Sequence, residues 1–512
     1  MDESNFINII NFIRAVEPRH REQKDLFEPV REQMALAKQY GLPTTWLLQY
    51  DALVQGPFVE FLKREMPENH EIGIWFEVVE QNADAAGIPW RGRWSWDWHT
   101  DVGFSVGYTP RERELLADAF IAKFEEKFGR RPVSMGSWLF DAHLLRYLHE
   151  RYGIEAACNC KDQYGTDGYT LWGGYWANGY YPAVKNAYLP AQNEDAQIPV
   201  PVFRMLGSDP LYQYSAGVAG NGQPVITLEP VYKDSGGGSR EWIDWFFREN
   251  FSHPHFAMAY AQAGQENPFG WDLMKKTLPY QYQEIARLRD AGKIRATTLG
   301  ETGRWFRAKF PVTPVSAVVT LDDWKREGHA GIWYLSRFGR VNLFRESDGT
   351  LAVRDWQLFR EDYAESYLDK VCPSSVCAYD ALPLVDGLLW EPCSFRVPGG
   401  PGRIESVREE TGEVMRIVWR RESGDAISIR LTPQSMEFEF PQEGEALLYE
   451  CNVAALEYRT PTARFFRDGR ICYRHKGYDY GFEAAAGRIV PGEGDAFLLT
   501  AEGRKLVLRP FA

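Results

Sequence analysis

Basic side chains are in deficit and nowhere clustered. The 512 residues carry 58 Lys and Arg against 71 Asp and Glu, a formal charge of −13. A nucleic acid or an anionic membrane surface is therefore not expected as a partner. Long hydrophobic runs are also missing: none approaches the roughly 20 residues of a membrane helix. The opening "MDESNFINII" lacks a basic stretch followed by an apolar core. A cytoplasmic location, or export with the signal already removed, is the expectation. Histidine is scarce, and His99, His143, His253 and His255 fall in segments with no ligand spacing, so neither a metal site nor a cofactor is predicted. The seven cysteines, at 158, 160, 372, 377, 393, 451 and 472, form neither an even disulfide framework nor a four-ligand zinc pattern. No Gly-x-Ser-x-Gly turn follows a strand, which argues against a nucleophilic serine.

Aromatic residues, by contrast, are abundant at 14%, with 18 Trp and 26 Tyr. Sugar rings stack their C–H faces on such side chains, although large aromatic cores give the same count. A chain this long is expected to divide into two domains. To about residue 310, short apolar or β-branched runs alternate with amphipathic helical stretches, the pattern of parallel strands joined by crossover helices. The strands are read as "FINIINFIRAVE", "PTTWLLQYD", "EIGIWFEVVE", "RPVSMGSW", "IEAACNCKD", "VPVFRMLGSD", "FAMAYAQAGQE" and "IRATTLGE". They predict a (β/α)8 TIM-like barrel over residues 1–315. Between them, helices are predicted over "QKDLFEPVREQMALAKQYG", from Gln23 to Gly41, and after the N-cap Thr109, with Pro110 and Glu112 completing a capping box. From residue 316 to 512 the pattern becomes short alternating runs divided by turns, which predicts a C-terminal all-β sandwich. "GGG" at Gly236 to Gly238 reads as a flexible or anion-approaching turn.

Chemistry in such barrels sits at the C-terminal strand ends. Those ends offer Glu17, Asp51, Glu77 and Glu80, Asp141 with His143, Asp162 with Asp167, Asp209, Glu266 and Glu301. Hydrolysis of a glycosidic bond needs one protonated group at the leaving oxygen and one deprotonated group at water or carbon. An imidazole beside a carboxylate keeps a proton near neutrality, so His143, with Asp141 as neighbour, is the candidate acid. The alternative for His143 is a structural place at the start of its helix. His99 in "WDWH", partnered by Asp97, is the rival acid. Trp138 is expected as floor or wall of the pocket. Arg14, Arg91, Arg93 and Arg204 fall at strand ends or in pocket loops, where a guanidinium suits a substrate carboxylate or neutralises crowded acids.

"HEIGIWFEVVEQ", "PTTWLL" and "GRRPVSMGSW" resemble strands of the NodB-type polysaccharide deacetylase and barrel glycosidase superfamily, whose third strand leads into metal-binding histidines. Here Trp75 and Glu77 stand in their place. "NFIRAVEPR", "WDWH", "GSWLFDAH", "CNCKDQYGTDGYTLWGGY" and "FRMLGSDPLYQY", with a β-rich C-terminal part, resemble glycoside hydrolase family 156, the inverting exo-sialidases. This resemblance implies metal-independent hydrolysis of terminal α-linked sialic acids, with His143 as acid. It implies a carboxylate base at the first strand, where Glu17 stands, with Asp51 and Asp97 as reserves. Arg204 and Asn342 are implied as contacts to the sugar acid. The alternatives are a glycosidase for another sugar, with Glu266 or Asp162 in the leading role, and a catalytically silent carbohydrate-binding barrel. A homodimer is a further expectation.

Overall fold

The computed structural model describes residues 4–19, 24–218, 222–233, 235–452 and 462–512. Eight parallel strands occur where the hydrophobic runs predict them: β1 (Asn5–Ile13), β2 (Thr45–Leu48), β3 (Glu71–Trp75), β4 (Ser134–Gly136), β5 (Ala156–Asn159), β6 (Val202–Arg204), β7 (Ala259–Ala263) and β8 (Arg295–Thr297). All nine residues of β1 are buried, as befits a parallel strand covered on both faces. Its asparagines turn that burial to use. Asn8 donates to the Thr297 carbonyl at 2.8 Å and to the Thr302 hydroxyl at 2.7 Å, while Asn11 accepts from the Gln265 amide at 3.1 Å.

The sheet is not a closed eight-stranded barrel, contrary to the sequence-based expectation. Seven strands run in the order β7-β1-β2-β3-β4-β5-β6, and the edge beyond β6 is taken by an antiparallel segment, Gly179–Tyr180. Strand β7 pairs directly with β1 through Asn5 to Ile9, which leaves no place for β8 between them. Strand β8, three residues long, pairs instead with Phe6 to Asn8 of β1. The result is a curled, open barrel.

The principal outer helices are α1 (Glu28–Tyr40), α2 (Pro110–Phe128), α3 (Ala142–Tyr152), α4 (Arg240–Ser252), α5 (Leu278–Asp290) and α6 (Leu299–Lys309). The α1 helix starts five residues after its expected beginning at Gln23, which lies outside the described residues. It ends, as read, on Gly41 in the left-handed region. Helix α2 carries the predicted capping box between Thr109 and Glu112.

The antiparallel sheets of the C-terminal part begin at Ser316–Thr320. A nine-stranded and an eight-stranded sheet make up the C-terminal part. They face each other through Trp356, Phe395 and Tyr449 on one sheet and Phe482 on the other, with ring centroids 5.4–5.6 Å apart. One apolar cluster runs from the barrel, through Trp75 and Phe203, into this part at Trp333 and Phe395. The two parts thus share a core, and buried ions reinforce the joint. Arg340 donates to Asp355 at 2.8 and 2.9 Å and to Asp162, beyond β5, at 2.6 Å.

Candidate functional site

At the C-terminal ends of β1 and β4–β7 lies a cavity of about 380 Å3. Its wall includes Arg19, Trp138, Lys161, Glu229, Tyr232 and Glu266. Each is placed by local structure. Trp138 follows β4 and packs edge-on against Phe12 and Trp75, with centroids 5.4 and 5.6 Å away. Lys161 follows β5, and Glu266 follows β7. Glu229 and Tyr232 belong to a segment held by the Gly236–Gly238 turn. A Cβ on Gly237 or Gly238 would collide with the carbonyls of Leu228 and Tyr232. The triple glycine therefore permits close backbone approach to the cavity wall, a purpose the sequence left open.

Glu266 is 4% exposed and pairs with Arg14, whose guanidinium also grips Glu77 through two hydrogen bonds of 2.9 and 3.1 Å. Asn267 locks the Arg14 backbone, accepting from its N–H and donating to its carbonyl at 2.8 Å each. Burial works against the Arg14 charge, but Glu266 and Glu77 outweigh it and raise its pKa. Burial likewise pushes the Glu266 carboxyl up, to about 7, against the pull of Arg14 and Arg19. Glu229, 3% exposed, is raised by burial too, restrained by hydrogen bonds from the Thr227 hydroxyl at 2.8 Å and the Gln265 amide at 3.4 Å and by the Lys161 ammonium. Lys161 is 2% exposed. Its ammonium donates to the Asp162 carbonyl at 3.4 Å, and burial lowers its pKa. Among the described residues no carboxylate lies within ion-pair distance of it. Glu229, and then Glu266 among others, raise the Tyr232 phenol, which keeps its proton between them.

The candidates named from sequence are dispersed by the fold. Trp138 lines the cavity, as expected of a wall. Arg14 stands behind Glu266 and is saturated by carboxylates. Glu17 accepts from Arg19 at 2.7 and 2.8 Å and lines a neighbouring cleft of about 710 Å3 rather than this cavity. Arg19 itself reaches the cavity from the face of Trp96, 4.8 Å from that ring. Asp51 is fully buried and accepts from the amides of Ala15 and Val16 at 3.0 Å, so it shapes the loop after β1 and does not meet solvent. Asp97 is tied to Arg93 at 2.7 and 2.8 Å, which holds its carboxyl near 2 against the effect of burial. His99 sits at the N-cap of a single helical turn, edge-on to Trp98.

His143 lies in the seam between the outer helices α2 and α3, with Nε2 3.3 Å from Glu114, and it does not border the cavity. The reason is helical geometry. Asp141 N-caps α3 through the Leu144 amide, and the second helical position then points toward α2. Asp141 is itself fully buried, 3.0 Å from Arg113. Arg204, Asp162 and Asn342 are likewise engaged in the joint with the C-terminal part. Arg204 donates to Asp162 at 2.8 Å and to Asn159 at 2.9 Å, and Asn342 accepts from Arg354. Of the further strand-end acids, Asp209 accepts from the indoles of Trp242 and Trp324 and Glu301 completes a capping box.

Sequence reasoning missed Lys161, Glu229 and Tyr232. A readable signal exists for Lys161, a lone cation closing the apolar run "EAACNC". Glu229 and Tyr232 lie on a loop whose position comes only from the turn beneath it.

The deacetylase superfamily that the sequence resembles uses a divalent metal, so the donor set is the test. Glu77 and Glu266 are already bridged by the fixed Arg14 cation, and among the described residues no group of three His, Cys, Asp or Glu side chains could hold an ion. These residues do not fit a metal there.

No family model matches the chain, and no curated protein matches it. Solved structures do. A candidate glycoside hydrolase/deacetylase from Parabacteroides distasonis is similar with a TM-score of 0.56 and 16% identity, over 76% of this chain and 93% of that one. A candidate polysaccharide deacetylase from Mycobacterium smegmatis is similar with a TM-score of 0.38 and 13% identity, over 60% of this chain and 91% of that one. At these identities the likeness is one of architecture: this chain shares the fold of the Parabacteroides protein.

Proposed function

We propose that this chain is a glycoside hydrolase that works with protein side chains alone, and that its acid is Glu266. The supporting observation is the pair of buried carboxylates, Glu229 and Glu266, on one cavity, of which Glu266 keeps its proton to about pH 7. A neutral carboxyl in a buried site can protonate a departing sugar oxygen. Glu229, across the same cavity wall as Lys161, is the partner that activates water or meets the anomeric carbon. Arg14 holds Glu266 in place and keeps Glu77 neutralised behind it.

The volume of about 380 Å3 is near the low end for ligand sites and suits an exo-acting enzyme that takes one terminal sugar. Lys161 and Arg19 bring positive charge to the wall, so the substrate class we infer is a sugar acid, with sialosides first. Trp138 offers its face to the ring. Inversion at the anomeric centre is part of the reading, and it requires about 6.5–9.5 Å between the two carboxyls.

The test is a panel of aryl glycosides, anionic and neutral, with the first-formed anomer read by NMR. Cleavage of the aryl sialoside with inversion supports the whole reading. Cleavage of a neutral glycoside alone removes the sugar-acid specificity. Acetate release from an acetylated sugar, with no glycoside cleaved, overturns it in favour of deacetylation, and binding without turnover overturns it in favour of a binding protein.

A further inference from the structure

Cysteines that look scattered in the sequence meet in space. Cys393 and Cys451 stand opposite each other on the antiparallel strands Cys393–Arg396 and Ala446–Cys451. The Asn452 amide donates to the Pro392 carbonyl at 3.0 Å, so residues 392 and 452 form the hydrogen-bonded pair and the next step, 393 and 451, is the non-hydrogen-bonded one. At that step Cα atoms are about 4.5 Å apart and side chains converge. A disulfide accepts Cα separations of about 4.4–6.8 Å.

The second pair closes the short loop "CPSSVC". The chain curls round Cys372, whose Sγ lies 3.3 Å from the Ser374 carbonyl oxygen and 3.4 Å from that of Val376, the residue before Cys377. This loop braces the cavity. The Cys372 amide donates to the Val106 carbonyl at 2.7 Å, and Cys377 pairs in parallel with Tyr169, which lines the cavity. Between them Val376 is 63% exposed, whereas Cys372 and Cys377 are themselves buried.

We infer that Cys372 with Cys377, and Cys393 with Cys451, are two disulfide-forming sites, which peroxide closes. In each, one thiolate attacks a peroxide oxygen, giving a sulfenic acid and, after protonation, one water. The facing thiol then attacks that sulfur and expels the second water. Two thiols lose two electrons and two protons to one S–S bond, and one hydrogen peroxide is reduced to two waters.

The experiment treats the full-length native protein with excess hydrogen peroxide, alkylates it in denaturant and maps the peptides. Free thiols are expected to fall from seven to three, with cross-links joining residue 372 to 377 and residue 393 to 451. Cys377→Ser is expected to remove the first cross-link and spare the second. If either pair ends as separately oxidised or alkylated cysteines, or joins Cys158, Cys160 or Cys472 instead, the assignment of that pair is overturned. Because the readout is covalent, it does not depend on whether the variant or the proposed hydrolase is active.

Discussion

In the proposed reaction Glu266 is the acid because burial lifts its carboxyl from 4.5 to about 7. Its acid form is full at low pH and is lost as pH rises through about 7, so the proposed hydrolysis should decline above neutrality. Glu266→Gln is expected to lower kcat by roughly two to four powers of ten for leaving groups that need a proton, with much less effect on activated aryl groups. Loss of the pH limb in that variant, measured on an aryl glycoside, is the accompanying signature; an unchanged limb would sink the assignment. Asp51 is raised by burial in the same sense, from 3.8 to about 7. Folded-state values above the unfolded ones mean that both groups stabilise the fold fully below ordinary carboxylate pKa values and lose that contribution as pH rises toward 7. Urea midpoints should therefore decline across that window, and Asp51→Asn should flatten the decline. Arg14→Met leaves Glu77 and Glu266 buried without their cation, and about 3–5 kcal/mol of stability is expected to go with it in denaturant unfolding. Glu266 and Arg14 were both legible in the sequence as charges at strand ends. Their partnership was not, because 252 residues separate them and only the β1–β7 pairing brings them together.

Among elements, the loop over Gly236 to Gly238 shows how backbone alone builds a wall. A Cβ at Gly238 has no room against the Tyr232 carbonyl, so Gly238→Ala must displace the segment carrying Glu229 and Tyr232. Misplacement of about 1 Å costs on the order of a hundredfold in rate. We expect that loss in kcat with the fold retained, checked by circular dichroism beside the assay. Helix α2 offers a contrast remote from the cavity, since Thr109→Ala removes half of a capping box and should cost about 1 kcal/mol in unfolding with kcat unchanged. Both features were visible as motifs. The capping box could be interpreted because its partners are three residues apart, whereas the triple glycine acts on a segment that packs over it in three dimensions.

Across the whole molecule, the same charges that looked like a binding site weld the barrel to the β-rich part. Asp162 accepts from both Arg204 and Arg340, and Arg113 reaches the carbonyls of Tyr367, Leu368 and Lys370 while resting against Asp141. Asp162→Ala leaves the buried Arg204 guanidinium without a carboxylate and takes from Arg340 one of its two, and a loss of about 3–5 kcal/mol is expected by denaturant unfolding. The shared apolar cluster and these ions also predict one cooperative transition for the full chain. Two resolved transitions by calorimetry would contradict that.

Periodicity and turn chemistry alone determined the eight parallel strand runs and the helix caps, because those features depend on neighbours a few residues away. Tertiary structure decided what the charges do. It sent His143 into a helix seam, spent Arg204 and Asp162 on the joint between the two parts, and left Glu229, Lys161 and Glu266 on the cavity. A side chain's direction and its dielectric surroundings are set by segments tens to hundreds of residues away, and no local pattern encodes them.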